Sequence, residues 1–168
     1  MPENLLVGIL GYRGSGRSHT WNTLFGRNVR TGKLNRRLYL GKNEYVEVFL
    51  VNGSPGERKM KVEKIITVGK PAIVLCSFQY KKSAVQAIDW FIKNDYFLYF
   101  HWLNPGYKAS NIYIDYFNYK DKIFSASSLF GVRNGKLPPR DRAQEIRDFI
   151  YGWAKSRDLI FQDKLLDL

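Results

Sequence analysis

The feature that most constrains this chain is a glycine-rich octapeptide, Gly11-Tyr12-Arg13-Gly14-Ser15-Gly16-Arg17-Ser18, set between an apolar run and an amphipathic stretch. The run from Asn4 to Leu10 is nearly continuous in apolar residues and reads as a strand buried on both faces. After the octapeptide, Trp21, Leu24 and Phe25 recur at helical spacing, and Gly26 supplies a stop. A buried strand that turns within a few residues into a helix demands α/β layering. The rest of the chain repeats the alternation. Ala72 to Phe78 and Tyr96 to Leu103 are expected as further buried strands. Ser83 to Lys93 carries Val85, Ile88, Phe91 and Ile92 on one helical face. Arg140 to Arg157 carries Ile146, Phe149, Ile150 and Trp153, flanked by arginines that include Arg142. Arg37 to Leu40 and Tyr45 to Val51 flank a tight turn at Gly41-Lys42-Asn43 and are expected to pair antiparallel. Asn52 to Gly56 reads as a turn, and Lys122 to Ala126 as a last short strand. The expectation is one α/β domain over 1–168: a mainly parallel sheet with one antiparallel strand pair and helices on both faces.

The octapeptide matches the phosphate-loop (P-loop) pattern G-x-x-x-x-G-K-[ST] at every fixed position but one, where Arg17 stands for lysine. Glycines allow several backbone N–H groups to turn inward around a phosphate. The following helix points its positive end at the same place. Gly11, Gly14, Ser15, Gly16, Arg17 and Ser18 are therefore the candidate phosphate-binding residues, and the Ser18 hydroxyl is a candidate Mg²⁺ ligand. A guanidinium is larger and flatter than an ammonium, so Arg17 implies an altered phosphate contact. The alternative is a glycine-rich turn with no ligand.

The formal charge is +12, from 27 basic and 15 acidic side chains, and such an excess attracts polyanions. It is uneven: Arg27 to Lys42 holds Arg27, Arg30, Lys33, Arg36, Arg37 and Lys42 and no acid. That segment is either a solvated surface or the docking site of an anionic partner, nucleic acid or acidic protein. Apolar residues at 45% exclude a disordered chain. Cys76 is the single cysteine, so no internal disulfide forms; it reads as a small core residue in a reducing compartment. No apolar run is long enough to span a membrane, and the start lacks the basic region of a signal peptide, so a cytoplasmic location is expected. His19, His101 and Cys76 make no zinc set, and no nucleophile signature names a catalytic residue. His19 is expected in solvent; His101, Trp90, Tyr96, Tyr99 and Trp102 are expected in the core.

With these motifs the chain resembles the GTPase family of P-loop proteins, the Ras-like and translation-factor-like G domains, across nearly its whole length. The resemblance continues at Val48-Phe-Leu-Val-Asn52-Gly-Ser-Pro-Gly56, where the family ends a strand in an Asp-x-x-Gly turn. It implies that Asn52 stands where the family's magnesium Asp does and that Gly56 contacts the γ-phosphate. It implies that Thr31, in the loop Arg27 to Asn35, is the switch threonine that caps Mg²⁺. Ser125-Ala126-Ser127 is similar to the turn that packs on the guanine base. Asn104-Pro105-Gly106-Tyr107 stands where a guanine-reading Asn-Lys-x-Asp belongs and offers no carboxylate. Glu57 follows Gly56 where the family has glutamine. The resemblance thus implies a divergent or degenerate member that binds a nucleoside di- or triphosphate, GTP or ATP, with Mg²⁺. It would act as a switch or scaffold with weak or absent hydrolysis. Two other functions stay open: a small P-loop kinase or phosphotransferase, and a module that has lost nucleotide and uses its basic face.

Overall fold

Only the first residue of the stretch NLLVGILG is polar, and the stretch forms β1 (Asn4–Gly11) in the middle of the sheet. The computed structural model describes residues 2–53 and 61–164. In chain order β1 is followed by α1 (Arg17–Phe25), β2 (Arg36–Gly41), β3 (Glu44–Val51), α2 (Val62–Ile65) and β4 (Ile73–Gln79). A single 3-10 turn (Lys82–Ala84) then runs into α3 (Val85–Lys93), followed by β5 (Tyr96–Leu103), α4 (Tyr119–Ser125) and β6 (Leu129–Arg133). The chain closes with α5 (Arg140–Lys155) and β7 (Phe161–Gln162). The strand order is β2-β3-β4-β1-β5-β6. β1 runs parallel to β4 and β5, β3 to β4, and β5 to β6, whereas β2 and β3 are antiparallel.

Alternation along β1 divides the core in two. Leu6 and Leu10 join Val62, Ile65, Ile88, Phe91, Tyr119 and Ile123 on one face, so α2, α3 and α4 cover it. Leu5, Val7 and Ile9 join Trp21, Leu24, Ile146 and Ile150 on the other, covered by α1 and α5. Gly26 ends α1 at φ 72°, and the Arg27 N–H returns to the Asn22 carbonyl, a Schellman-type stop. Cys76, His101, Tyr96, Tyr99 and Trp102 are buried, and Trp90 packs against the core's rim. Among the described residues no helix is long and apolar enough to cross a membrane.

Two elements differ from the sequence expectation. Lys122 to Ala126 is not a strand: through Ser125 it belongs to α4, whose Tyr119 and Ile123 lie four apart on one helical face and are both fully buried. The last parallel strand is Leu129–Arg133 instead. A short apolar run cannot be assigned by period alone. β7 adds a second antiparallel pairing, to the start of β3, in two residues that carry no sequence signal. Of the turn expected over Asn52 to Gly56, the second half lies outside the described residues.

One buried polar group gives the fold a pH dependence. His101, on β5, is 2% exposed, with Nε2 3.1 Å from the Tyr99 hydroxyl and 3.3 Å from Glu145 Oε1. Burial, then the Arg133 guanidinium, holds its pKa down at about 4, against the opposing pull of Glu145. Arg133 donates two 2.7 Å bonds to Glu145 and lowers that carboxyl's pKa as well. The unfolded chain therefore takes up the imidazole proton near 6.5, well before the folded chain does near 4. Stability from His101 is complete above pH ~6.5 and is lost as pH falls toward 4, on the order of 3 kcal/mol. Glu145 adds loss on the same acid side. The melting temperature should be level above neutrality and drop between pH 6.5 and 4, and His101→Gln should flatten that limb. An unchanged slope in the variant would place the dependence elsewhere.

Candidate functional site

The ends of β1, β5 and β6 lie side by side, because Leu10 pairs with Trp102 and Trp102 with Val132. The three loops that leave them converge on Ser15. The Tyr107 N–H donates to the Ser15 carbonyl at 3.0 Å, the Lys108 N–H to the Gly14 carbonyl at 3.2 Å, and the Gly135 N–H to the Pro105 carbonyl at 2.7 Å. Two glycines make this approach possible. A Cβ at Gly106 would stand 2.8 Å from Ser15 Cβ, and one at Gly135 would stand 2.6 Å from the Ser15 carbonyl oxygen. Ser15 itself is 2% exposed, and its hydroxyl has no hydrogen-bond partner among the described residues. Gly14 and Gly16 sit at φ 77° and 105°, the left-handed backbone that lets the chain turn from strand to helix.

A cleft of about 500 Å³ opens beside this loop. One wall is Gly14 to His19; the other is Tyr107 with Gly135 to Pro139. Arg17, His19, Lys136 and Arg142 line it, with no carboxylate among the described lining residues. The first-turn N–H groups of α1 border it too, and these have no acceptor within their own helix. Arg17 is 8% exposed, and His19 is exposed as expected.

Arg142 is the functional candidate that sequence reasoning missed. It is 6% exposed, its Nε donates to Thr20 Oγ1 at 2.9 Å and its Nη1 to the Leu137 carbonyl at 3.0 Å. Its other terminal nitrogen lies 3.3 Å from where a Cβ on Gly16 would stand. Burial lowers its pKa, yet a guanidinium keeps its charge. A signal was present: Arg142, Ile146 and Ile150 are spaced by four, which sets the arginine on the apolar stripe and not beside it.

Ser18, Thr31 and Asn52, the three candidate magnesium residues, come together. Ser18 Oγ donates to Asn52 Oδ1 at 3.1 Å, and the Asn52 N–H donates to Thr31 Oγ1 at 2.9 Å. Asn52 Nδ2 also donates to the Val29 carbonyl at 2.9 Å, which ties the basic loop to the end of β3. The donor set is three neutral oxygens, each already in a hydrogen bond: the Ser18 hydroxyl with Asn52 Oδ1, and Thr31 Oγ1 with the Asn52 N–H. No group of three His, Cys, Asp or Glu that could hold a metal occurs among the described residues. Mg²⁺ favours carboxylate and phosphate oxygens, so these residues do not make a resident Mg²⁺ site by themselves.

Of the remaining candidates, Gly11 ends β1 under the loop, where a Cβ would meet Ser15 Oγ at 2.3 Å. Gly56 lies outside the described residues. Ser125 and Ala126 are not at the site. They precede β6, whereas the glycine loop is level with its far end, four residues or about 13 Å further along the strand. The residues after β6 that do line the cleft are Gly135, Lys136 and Leu137. The motif was matched by local similarity, and only the sheet register shows at which end it lies.

The convergence on Ser15 can be checked with a matched pair of glycines. Gly135→Ala would drive a methyl group onto the Ser15 carbonyl and should cost on the order of 1–3 kcal/mol, a fall of several degrees in melting temperature. Gly152→Ala, inside α5 with nothing within 4 Å of the new methyl, should leave stability level or raise it by up to about 1 kcal/mol. Equal melting temperatures for the two variants would refute the close approach.

No protein-family model matches the chain, and no curated protein matches its sequence.

Proposed function

We propose that the chain is a P-loop domain related to the GTPases and that it binds a nucleoside di- or triphosphate at Gly11 to Ser18, as a switch or scaffold with little hydrolysis. The observation that carries this reading is the cleft. A glycine loop in left-handed backbone leads a buried strand into a helix, beside arginines and a lysine with no acid among them. Helix N–H groups, two buried guanidiniums and Lys136 offer a phosphate chain charge-assisted hydrogen bonds on several sides. Ser15 brings a buried hydroxyl. Mg²⁺ enters this proposal only as the companion of the phosphates, whose oxygens would supply the charge that Ser18, Thr31 and Asn52 lack.

The same composition argues against fast chemistry. Phosphoryl transfer needs a positioned base or water-orienting group, and the described cleft holds no carboxylate. This also weighs against a kinase or phosphotransferase. Turnover should fall well below the ~1–100 s⁻¹ of an efficient phosphoryl-transfer enzyme. Base selection should be poor for a related reason. Asn104 has its side chain occupied by the Tyr113 backbone, and no carboxylate among the described residues lines the cleft to accept from a guanine.

The Arg27 to Lys42 segment favours a second, compatible activity, binding of an anionic partner. Arg27, Arg30, Lys33, Arg37 and Lys42 are exposed. Arg36 donates to the Arg30 carbonyl at 2.7 Å, and Arg37 lies over the Tyr45 ring beside Asp163. The segment thus presents its charge from a held backbone.

Calorimetry checks the nucleotide site. GTP and ATP should bind within roughly tenfold of one another, a gap of about 1.4 kcal/mol. Arg142→Ala and Gly16→Val should each weaken both by tenfold or more, with circular dichroism confirming that the variants are folded. Absence of affinity for any nucleotide, or equal affinity in both folded variants, rejects the proposal. For the basic segment, binding to single-stranded or duplex nucleic acid should fall steeply with salt and fall further in Arg36→Glu/Arg37→Glu. Salt-independent binding, or no loss in that double variant, excludes the segment.

A further inference from the structure

Between β5 and α4 the chain runs for fifteen residues, 104–118, without regular structure. Connections this long in a compact domain are uncommon and usually serve a function. This one exposes a dense apolar row: Tyr107 at 60%, Ile112 at 72%, Ile114 at 67% and Tyr116 at 71%. Such side chains scattered singly would need no explanation, whereas grouped on one segment they mark an interaction surface.

The segment is held in place. Asn104, itself 6% exposed, donates from Nδ2 to the Tyr113 carbonyl at 2.8 Å and accepts the Tyr113 N–H at 2.9 Å, as a neighbouring strand would. Asp115 accepts the Tyr80 hydroxyl at 2.6 Å and the N–H groups of Tyr119 and Lys120. The Tyr113 ring packs on Tyr12 at 4.5 Å, and Phe117 on Tyr80 at 5.1 Å. Tyr113 therefore anchors inward while Ile112 and Ile114 on either side of it are exposed, two residues apart as in an extended chain; the Tyr116 N–H then returns to the Ile114 carbonyl at 3.0 Å, and a tight turn places exposed Tyr116 beside them. A backbone already fixed loses little freedom on docking.

We propose that residues 112–116 are a docking surface for an extended acidic and apolar segment of a partner protein. Charge selects this occupant. Exposed Lys120 donates its backbone N–H to Asp115, exposed Arg13 follows the Tyr12 on which Tyr113 packs, and the one carboxylate within the row, Asp115, is consumed by its three hydrogen bonds. A second copy of the chain would bring another +12 to the same place. An anionic lipid surface would meet the same basic side chains and is the alternative that the vesicle arm of the test separates. An extended peptide matches the two-residue spacing of Ile112 and Ile114 and supplies the missing negative charge.

The proposed contacts are made by residues 112–116, none of which lines the cleft, and the test uses the full chain without nucleotide. Phage-displayed random dodecapeptides panned on the chain should enrich sequences that combine aspartate or glutamate with large apolar residues at alternate positions. A synthetic peptide of that consensus, followed by fluorescence anisotropy, should bind at least tenfold more weakly to Ile112→Asp/Ile114→Asp. The exposed sites should leave that variant's melting temperature unchanged, and Ile112→Ser/Ile114→Ser, which adds no charge, should weaken binding in the same direction. Enrichment with no acidic or apolar bias, or undiminished binding in both variants, overturns the proposal. So do loss of phosphatidylserine-vesicle binding or loss of self-association in the variants with no effect on peptide binding.

Discussion

Everything at the functional end of this molecule depends on how closely three loops approach Ser15. The contact is between backbones, not side chains. Gly106 and Gly135 leave the space that a Cβ would fill, and carbonyls of Gly14, Ser15 and Pro105 receive N–H groups from the neighbouring loops. Backbone packed this tightly keeps one geometry, since displacement would strand buried polar groups at a cost of about 1–3 kcal/mol each. The left-handed turns at Gly14 and Gly16 are thus supported from outside and do not depend on a ligand to form. A site whose donors are held before binding avoids the ordering cost that weakens flexible sites.

The layered fold was legible because its signals are periodic. Apolar runs marked β1, β4 and β5, helical spacing marked α1, α3 and α5, and the turn at Lys42 marked the antiparallel pair β2 and β3. The glycine loop was legible because glycine at fixed spacing between strand and helix has few other uses. Features that depend on register were not legible. Ser125-Ala126 has a local likeness to a base-binding turn, yet sheet pairing puts it at the end of β6 away from the glycine loop. Asn134 to Leu137, which does reach the cleft, has no motif to announce it. Tyr119 and Ile123 form a helical face only once the chain before them is known to leave the sheet.

Charge in the cleft shows the same division between local and tertiary information. Arg17 is supplied by the loop's own sequence. Arg142 comes from the first turn of α5, more than a hundred residues along the chain, and is brought in because its neighbours Ala143 and Ile146 are core residues. Its bonds to Thr20 and to the Leu137 carbonyl then join α1, α5 and the loop after β6 through one side chain. A buried guanidinium is costly to desolvate, and two hydrogen bonds offset only part of that cost. An anion in the cleft would offset more of it, so the fold and the proposed ligand are coupled through this residue.

That coupling is what the proposed phosphate site would rely on, since its loop departs from the pattern at Arg17. With arginine at position 17 and a neutral Asn52 at the end of β3, the charge that could bind and the charge that could react are provided for differently. Binding requires positive charge near the phosphates, from any direction, and Arg17, Arg142 and Lys136 provide it. Reaction requires negative or basic groups at one defined place to fix a cation and orient a nucleophile. Ser18, Thr31 and Asn52 do meet at that place, but as neutral groups whose hydrogen bonds tie one another and the basic loop down. The cluster that a catalyst would use to hold a metal here serves to fasten Thr31 and Val29 to the end of β3. The proposed site therefore offers the groups that binding an anion needs and, among the described residues, lacks the carboxylates that phosphoryl transfer needs.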